Sequence, residues 1–127
     1  MKLFNIKTKL INLQSGEFII GSDLTGSHAC YMIYGVLKVN EKKRLIKPGK
    51  GHEEIVLILK GKVKITGSWE GILTEGDAFH IVGEESCFFE NISQSEVLYL
   101  IAGGHSGIYH NNKKECLLHQ KISRKDI

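Results

Sequence analysis

His52-Glu53-Glu54-Ile55-Val56-Leu57-Ile58-Leu59-Lys60-Gly61-Lys62-Val63 is the stretch whose reading decides the fold. After the glutamates it is apolar on both faces. Strand pleat sets Glu54, Val56 and Ile58 on one side and Ile55, Leu57 and Leu59 on the other. A strand buried on both faces needs a filled interior on one side and a further surface on the other. A second subunit is the simplest outer cover and predicts a homodimer; the chain's own N-terminal strand or tail is the alternative. A second hairpin, Gly76-Asp77-Ala78-Phe79-His80-Ile81, runs on to Asn91.

Working outward, alternation dominates and turn residues recur about every ten positions, the pattern of an all-β sandwich or barrel. Strands are predicted over 3–13, 17–21, 29–39 and 44–47, then over 53–59, 62–66, 71–74, 77–82, 86–91 and 96–102. Asp23 to Ser27 reads as a loop, and Pro48-Gly49-Lys50-Gly51 must turn, since proline lacks a ladder donor and glycine allows positive φ. A tail is predicted from Gly103-Gly104 onward. Within it Asn112 and Glu115 resemble a capping box ahead of a short helix with Cys116, Leu117, Leu118 and Ile122. No repeat or internal boundary divides the 127 residues, so one domain is expected over 1–127.

The 42% hydrophobic and 24% charged fractions are those of a soluble globular chain. The net charge of +3 is spread over Lys42, Lys43 and Arg44 and over the tail. Without interleaved aromatics or a nucleic-acid motif, this is solvated surface and predicts no nucleic-acid partner. Cys30, Cys87 and Cys116 are odd in number and widely spaced, which fits reduced thiols and a cytoplasmic setting. The start lacks a signal-peptide pattern, and no run approaches the roughly 18 apolar residues that span a bilayer, so no membrane association is expected.

The glycine, glutamate and asparagine positions resemble the two motifs of the cupins. In the first, a glutamate after His-x-His precedes a glycine by seven residues, as Glu54 precedes Gly61. In the second, Gly76 and Asn91 keep the spacing of the opening glycine and closing asparagine. The chain departs from the family elsewhere. His-x-His is missing, leaving His52 alone. Val82, Glu84 and Cys87 take the second motif's proline, glycine and histidine places. The resemblance covers about residues 30–103 and implies an antiparallel β-barrel of the double-stranded β-helix, or jelly-roll, type, followed by the tail 104–127.

It also implies a metal held between the motifs. Here His52, Glu54 and Cys87 would form an N, O, S set for a divalent ion such as zinc, iron or manganese, with His28 a possible fourth ligand. The bland alternatives are a buried apolar cysteine, a hydrogen-bonded rim histidine and a surface His28. Of Phe79 and His80 only one can point inward, and Phe79 is expected to. His80 has no clear role, and His105 and His110 read as loop histidines. Asn91 is expected to hold a turn through its amide.

Two functions compete. The first is a small-molecule-binding protein with its ligand inside the barrel, against Val56, Ile58, Phe79 and Phe89. The second is a metal-dependent dioxygenase or isomerase using His52, Glu54 and Cys87. A weaker third is a metal-free enzyme with His52 as base and Tyr31 or Tyr34 as acid. No nucleophile elbow or phosphate loop is present.

Overall fold

Alternation along the deciding stretch is kept in space. In a computed structural model that describes residues 1–7 and 15–106, His52, Glu54, Val56 and Ile58 are buried, whereas Ile55 and Lys60 are exposed. The strands are β1 (Glu17–Ile20), β2 (Cys30–Leu37), β3 (Arg44–Ile46), β4 (His52–Lys60) and β5 (Lys62–Gly67). They continue with β6 (Gly71–Thr74), β7 (Ala78–Val82), β8 (Cys87–Asn91) and β9 (Val97–His105). One helical turn, α1 (Ser22–Thr25), occupies the expected loop and ends on Gly26 in the left-handed conformation.

All pairings are antiparallel. A five-stranded sheet runs β1-β2-β9-β4-β7 and a four-stranded sheet β3-β8-β5-β6. The sheets do not join into a closed barrel, so the all-β jelly-roll expectation holds and closure does not. Phe89 fills the interior from the four-stranded side, edge-on to Phe79 and Tyr99 at 6.1 and 5.4 Å between centroids.

Two boundaries differ from expectation. Residues 3–7 join neither sheet, and 8–14 lie outside the described residues. More consequentially, Gly103-Gly104 does not begin a tail: β9 continues through both to His105, paired with β2 and β4. Neither glycine has positive φ, so they serve the strand by lacking side chains. The short helix expected around 112–122 lies outside the described residues.

The central ladder is built on a repeated pattern. Tyr31-Met32-Ile33-Tyr34-Gly35 of β2 runs antiparallel to Tyr99-Leu100-Ile101-Ala102-Gly103 of β9, with Ile33 opposite Ile101, Tyr31 opposite Gly103 and Tyr99 opposite Gly35. Each ring lies on that glycine. A Cβ at Gly35 would sit 2.0 Å from Tyr99 Cζ, and one at Gly103 would sit 2.3 Å from Tyr31 Cζ. Each hydroxyl then reaches over to a glutamate on the next strand, Tyr99 to Glu17 Oε2 and Tyr31 to Glu54 Oε2, both at 2.5 Å.

The Tyr99 half is tied to the other sheet. Arg44 on β3 donates to Tyr99 Oη at 2.9 Å and, from Nε and Nη2, to both oxygens of Glu41 at 2.8 and 2.9 Å. Burial, and then the neighbouring Glu17 carboxylate, push the Tyr99 phenol above its usual range. The native state therefore keeps a proton that the unfolded chain loses near pH 10. This contribution is complete below about pH 10 and is lost as pH rises towards the higher native pKa. Above pH 10, wild-type unfolding free energy is expected to fall more steeply than that of Tyr99→Phe, by about 1.4 kcal/mol per pH unit. Equal slopes in alkaline urea titrations would contradict this.

Asn91 closes β8 as expected. It is buried, with Nδ2 donating to the carbonyls of Leu37, Lys38 and Ser95 and Oδ1 accepting from Ser93 N–H. No helix among the described residues is long and apolar enough to cross a membrane.

Candidate functional site

The Tyr31 half of the ladder builds the polar end of the interior. Pleat carries His52 and Glu54 to the inner face of β4, where they are 1% and 2% exposed. Tyr31 comes from the inner face of β2, and Gly103 leaves room for its ring to reach Glu54. The His52 ring stands edge-on to Tyr31 at 5.9 Å and to His105 at 5.7 Å. His105 arrives because β9 outlasts its glycines and sets it directly opposite His52.

The Pro48–Gly51 turn is laced onto this end. Gly49 N–H donates to Gly83 O, Gly83 N–H to His52 O, and Ser106 N–H to Gly51 O, at 2.9–3.0 Å. The cluster is thus a phenol, a carboxylate and two imidazoles held on paired strands. Such groups suit hydrogen bonding to a ligand or the movement of a proton.

A second feature opens beside it. Between the free edges of β6 and β7 lies a gap of about 370 Å³, walled by Ile65, Leu73, Ala78, Phe79 and Ile81, with Trp69 and Glu85 at its rim and buried Cys87 among its lining residues. Ser68 fixes the rim turn, its N–H and Oγ both donating to Ser86 O at 3.0 and 2.9 Å. Ile81 joins the two features, since it lines the gap and is the β7 partner of Glu54.

The expected metal set is not assembled. His52 and Glu54 come together, but Cys87 belongs to the other sheet, opposite Ile46 and Gly67. Glu54 Oε2 is engaged by Tyr31. Among the described residues no three His, Cys, Asp or Glu side chains are grouped as a metal ion requires. His28 precedes β2 in a bend instead of sharing a strand face with Cys30. The donor set therefore does not fit the ion that the motif resemblance implies.

The expected pocket lining also divides. Val56, Ile58 and Phe89 are fully buried core, and only Phe79 borders the gap. Phe79 points inward as expected, while His80 points out and pairs with Glu53 at 2.9 Å. Tyr31 and His105 are the site residues that sequence reading undervalued. The phase of β2, set by buried Ile33 and Leu37, puts Tyr31 inside and Tyr34 outside. His110 lies outside the described residues.

No protein-family model matches the chain, and no curated protein matches it in sequence. Solved structures do match. A cupin protein from Bacteroides fragilis aligns with TM-score 0.61 and 22% identity, over 84% of this chain and 88% of that one. The Cnp3 cupin domain of Schizosaccharomyces pombe aligns with TM-score 0.63 and 17% identity, over 85% and 77%. An oxalate oxidase aligns with TM-score 0.59 and 14% identity, over 74% of this chain and 53% of that one. Identities this low speak to architecture alone. With its two facing antiparallel sheets and these superpositions, the chain has the cupin fold.

Proposed function

We propose that this chain binds a small organic molecule that enters between the edges of β6 and β7 and meets the Tyr31–Glu54–His52–His105 cluster with its polar end. The observation that carries this reading is the buried Glu54 carboxylate beside His52, on a β4 inner face whose other buried residues, Val56 and Ile58, are apolar. Burying ionisable groups costs several kcal/mol unless they are well partnered, and such clusters concentrate at functional sites. The gap has the size and apolar walls of a small-ligand site. One cross-strand position, Ile81, separates it from Glu54. The fold is shared with an oxidase and with a domain named only for its fold, so the site and not the architecture supports the reading.

Thermal unfolding against a panel of small phenols, aromatic amines, carboxylic acids and sugars tests it. A binder at 100 times its Kd adds about 2.7 kcal/mol, a rise of several degrees. Apparent affinity is expected to fall at least tenfold in Glu54→Gln and in Trp69→Ala, whose side chain is already exposed, which roughly halves that stabilisation, to about 1.4 kcal/mol. A panel without binders, or binders indifferent to both substitutions, would remove the proposal.

A further inference from the structure

The rim of the gap between β6 and β7 pairs an aromatic ring with a carboxylate. Ser68 N–H and Oγ donate to Ser86 O, and Ser86 N–H donates back to Ser68 Oγ at 3.3 Å. Trp69 follows the first serine and Glu85 precedes the second, so this clamp holds them side by side at the mouth. The Trp69 ring lies on Gly71, where a Cβ would sit 2.3 Å from Cη2 and 2.8 Å from Cζ2 and Cζ3. It is nonetheless 56% exposed. Glu85 Oε1 accepts the Val82 N–H at 2.8 Å, which fixes the carboxylate. Its Oε2 takes no hydrogen bond among the described residues.

The charge around this rim has one sign. From Ile65 to Ser106 the sequence has no lysine or arginine and seven acids, Glu70, Glu75, Asp77, Glu84, Glu85, Glu90 and Glu96. The rest of the chain holds all 17 lysines and arginines against the other seven acids, for a net charge of +3. Every wall and rim residue of the gap, from Ile65 to Cys87, belongs to the acidic stretch. Lys47 comes from outside it and pairs with Glu84 at 3.0 Å, while His80 on the lining pairs with Glu53.

Resting on the small-molecule reading above, we infer that the ligand is an organic ammonium ion, its cationic end held at the rim between Trp69 and Glu85 and its neutral polar end at the inner cluster. Indole attracts a cation more strongly than the other aromatic side chains do, and a carboxylate adds charge-assisted hydrogen bonds. The acidic stretch favours a cation and repels a carboxylate or phosphate. The walls, Ile65, Leu73, Ala78, Phe79 and Ile81, suit a hydrocarbon middle and offer a sugar no partners for its hydroxyls.

Tyramine, tyrosol and 4-hydroxyphenylacetate make the test, since they share a phenol and a side arm and end in an ammonium, an alcohol and a carboxylate. Calorimetry gives the affinities. Trp69 is the only tryptophan, so its fluorescence, excited beyond the tyrosine band, reports occupancy at the rim. Tyramine is expected to shift that emission and to bind at least tenfold tighter than tyrosol and about a hundredfold tighter than the acid. Glu85→Gln keeps an oxygen for the Val82 N–H and should bring tyramine and tyrosol within about threefold of each other. Glu96→Gln, an acid of the same stretch away from the gap, should leave their ratio as in the wild type. Affinities indifferent to charge, or a tyramine preference that survives Glu85→Gln, would overturn the inference and leave the pocket standing. If none of the three binds, the inference falls, whereas the reading beneath it falls only if the whole panel fails.

Discussion

Arg44→Met is expected to lower the unfolding free energy by about 3–5 kcal/mol, read from the urea midpoint at constant m. Its guanidinium, with the side chain 14% exposed, is a hub: Glu41 takes two of its hydrogen bonds, Tyr99 one, and the carbonyl of Val36 another. Methionine fills much of the volume but leaves Glu17, Glu41 and the Tyr99 hydroxyl crowded with no cation between them. The loss is large because an uncompensated charge is left behind, not because the intact pair is worth that much. Arg44→Lys should recover little, since an ammonium cannot hold Glu41 by a fork and reach Tyr99 as well. Lys47→Met is the contrast. Its bond to Glu84 is largely exposed, and its loss should change stability by less than about 0.5 kcal/mol. An Arg44→Met variant as stable as Lys47→Met would show that the hub holds nothing.

Gly35→Ala should be at least as damaging as any truncation in the core. The added carbon would lie 2.0 to 2.4 Å from three atoms of the Tyr99 ring, a rigid group pinned at its hydroxyl by Glu17 and Arg44. Overpacking usually costs 1–3 kcal/mol and more where nothing can give way, and here about 4 kcal/mol is expected. Gly76→Ala separates space from backbone freedom. Gly76 has open space around it but a φ of 91°, so only conformational strain, about 1 kcal/mol, applies. Shrinking the ring should relieve the first and not the second. In a double-mutant cycle, Gly35→Ala with Tyr99→Leu should lose less than the sum of the singles, whereas Gly76→Ala with Tyr99→Leu should be additive. Additivity in both pairs would refute the steric account.

Much of this molecule could be read from its residues. The pleat of His52 to Lys60 fixed which side chains face inward, and Gly61, Gly76 and Asn91 lie at turns and strand ends as their types require. What sequence did not give is what depends on contact between distant strands. Gly103-Gly104 carries the local signature of a turn, and the ring of Tyr31 over Gly103 and the Ala29 carbonyl beside Gly104, both some seventy-five positions earlier, explain why glycines stand in mid-strand. His105 was lost with it. Arg44 looked like surface charge because the groups it meets beyond nearby Glu41, Tyr99 and Glu17, are 55 and 27 positions away along the chain. The motif spacing set Cys87 with His52 and Glu54 in the ligand set that the resemblance implies, whereas it lines the gap between the edges of β6 and β7. Matching spacing along a chain does not guarantee that three side chains meet.

The paired tyrosine and glycine positions of β2 and β9 also act as a key with one alignment. Sliding one strand by a single residue would turn its apolar side chains from one surface of the sheet to the other. Sliding by two would keep the surfaces but set an isoleucine or leucine beneath a phenol ring, where only a hydrogen fits. Two strands far apart in sequence thus have a single register open to them, enforced at both ends of the ladder.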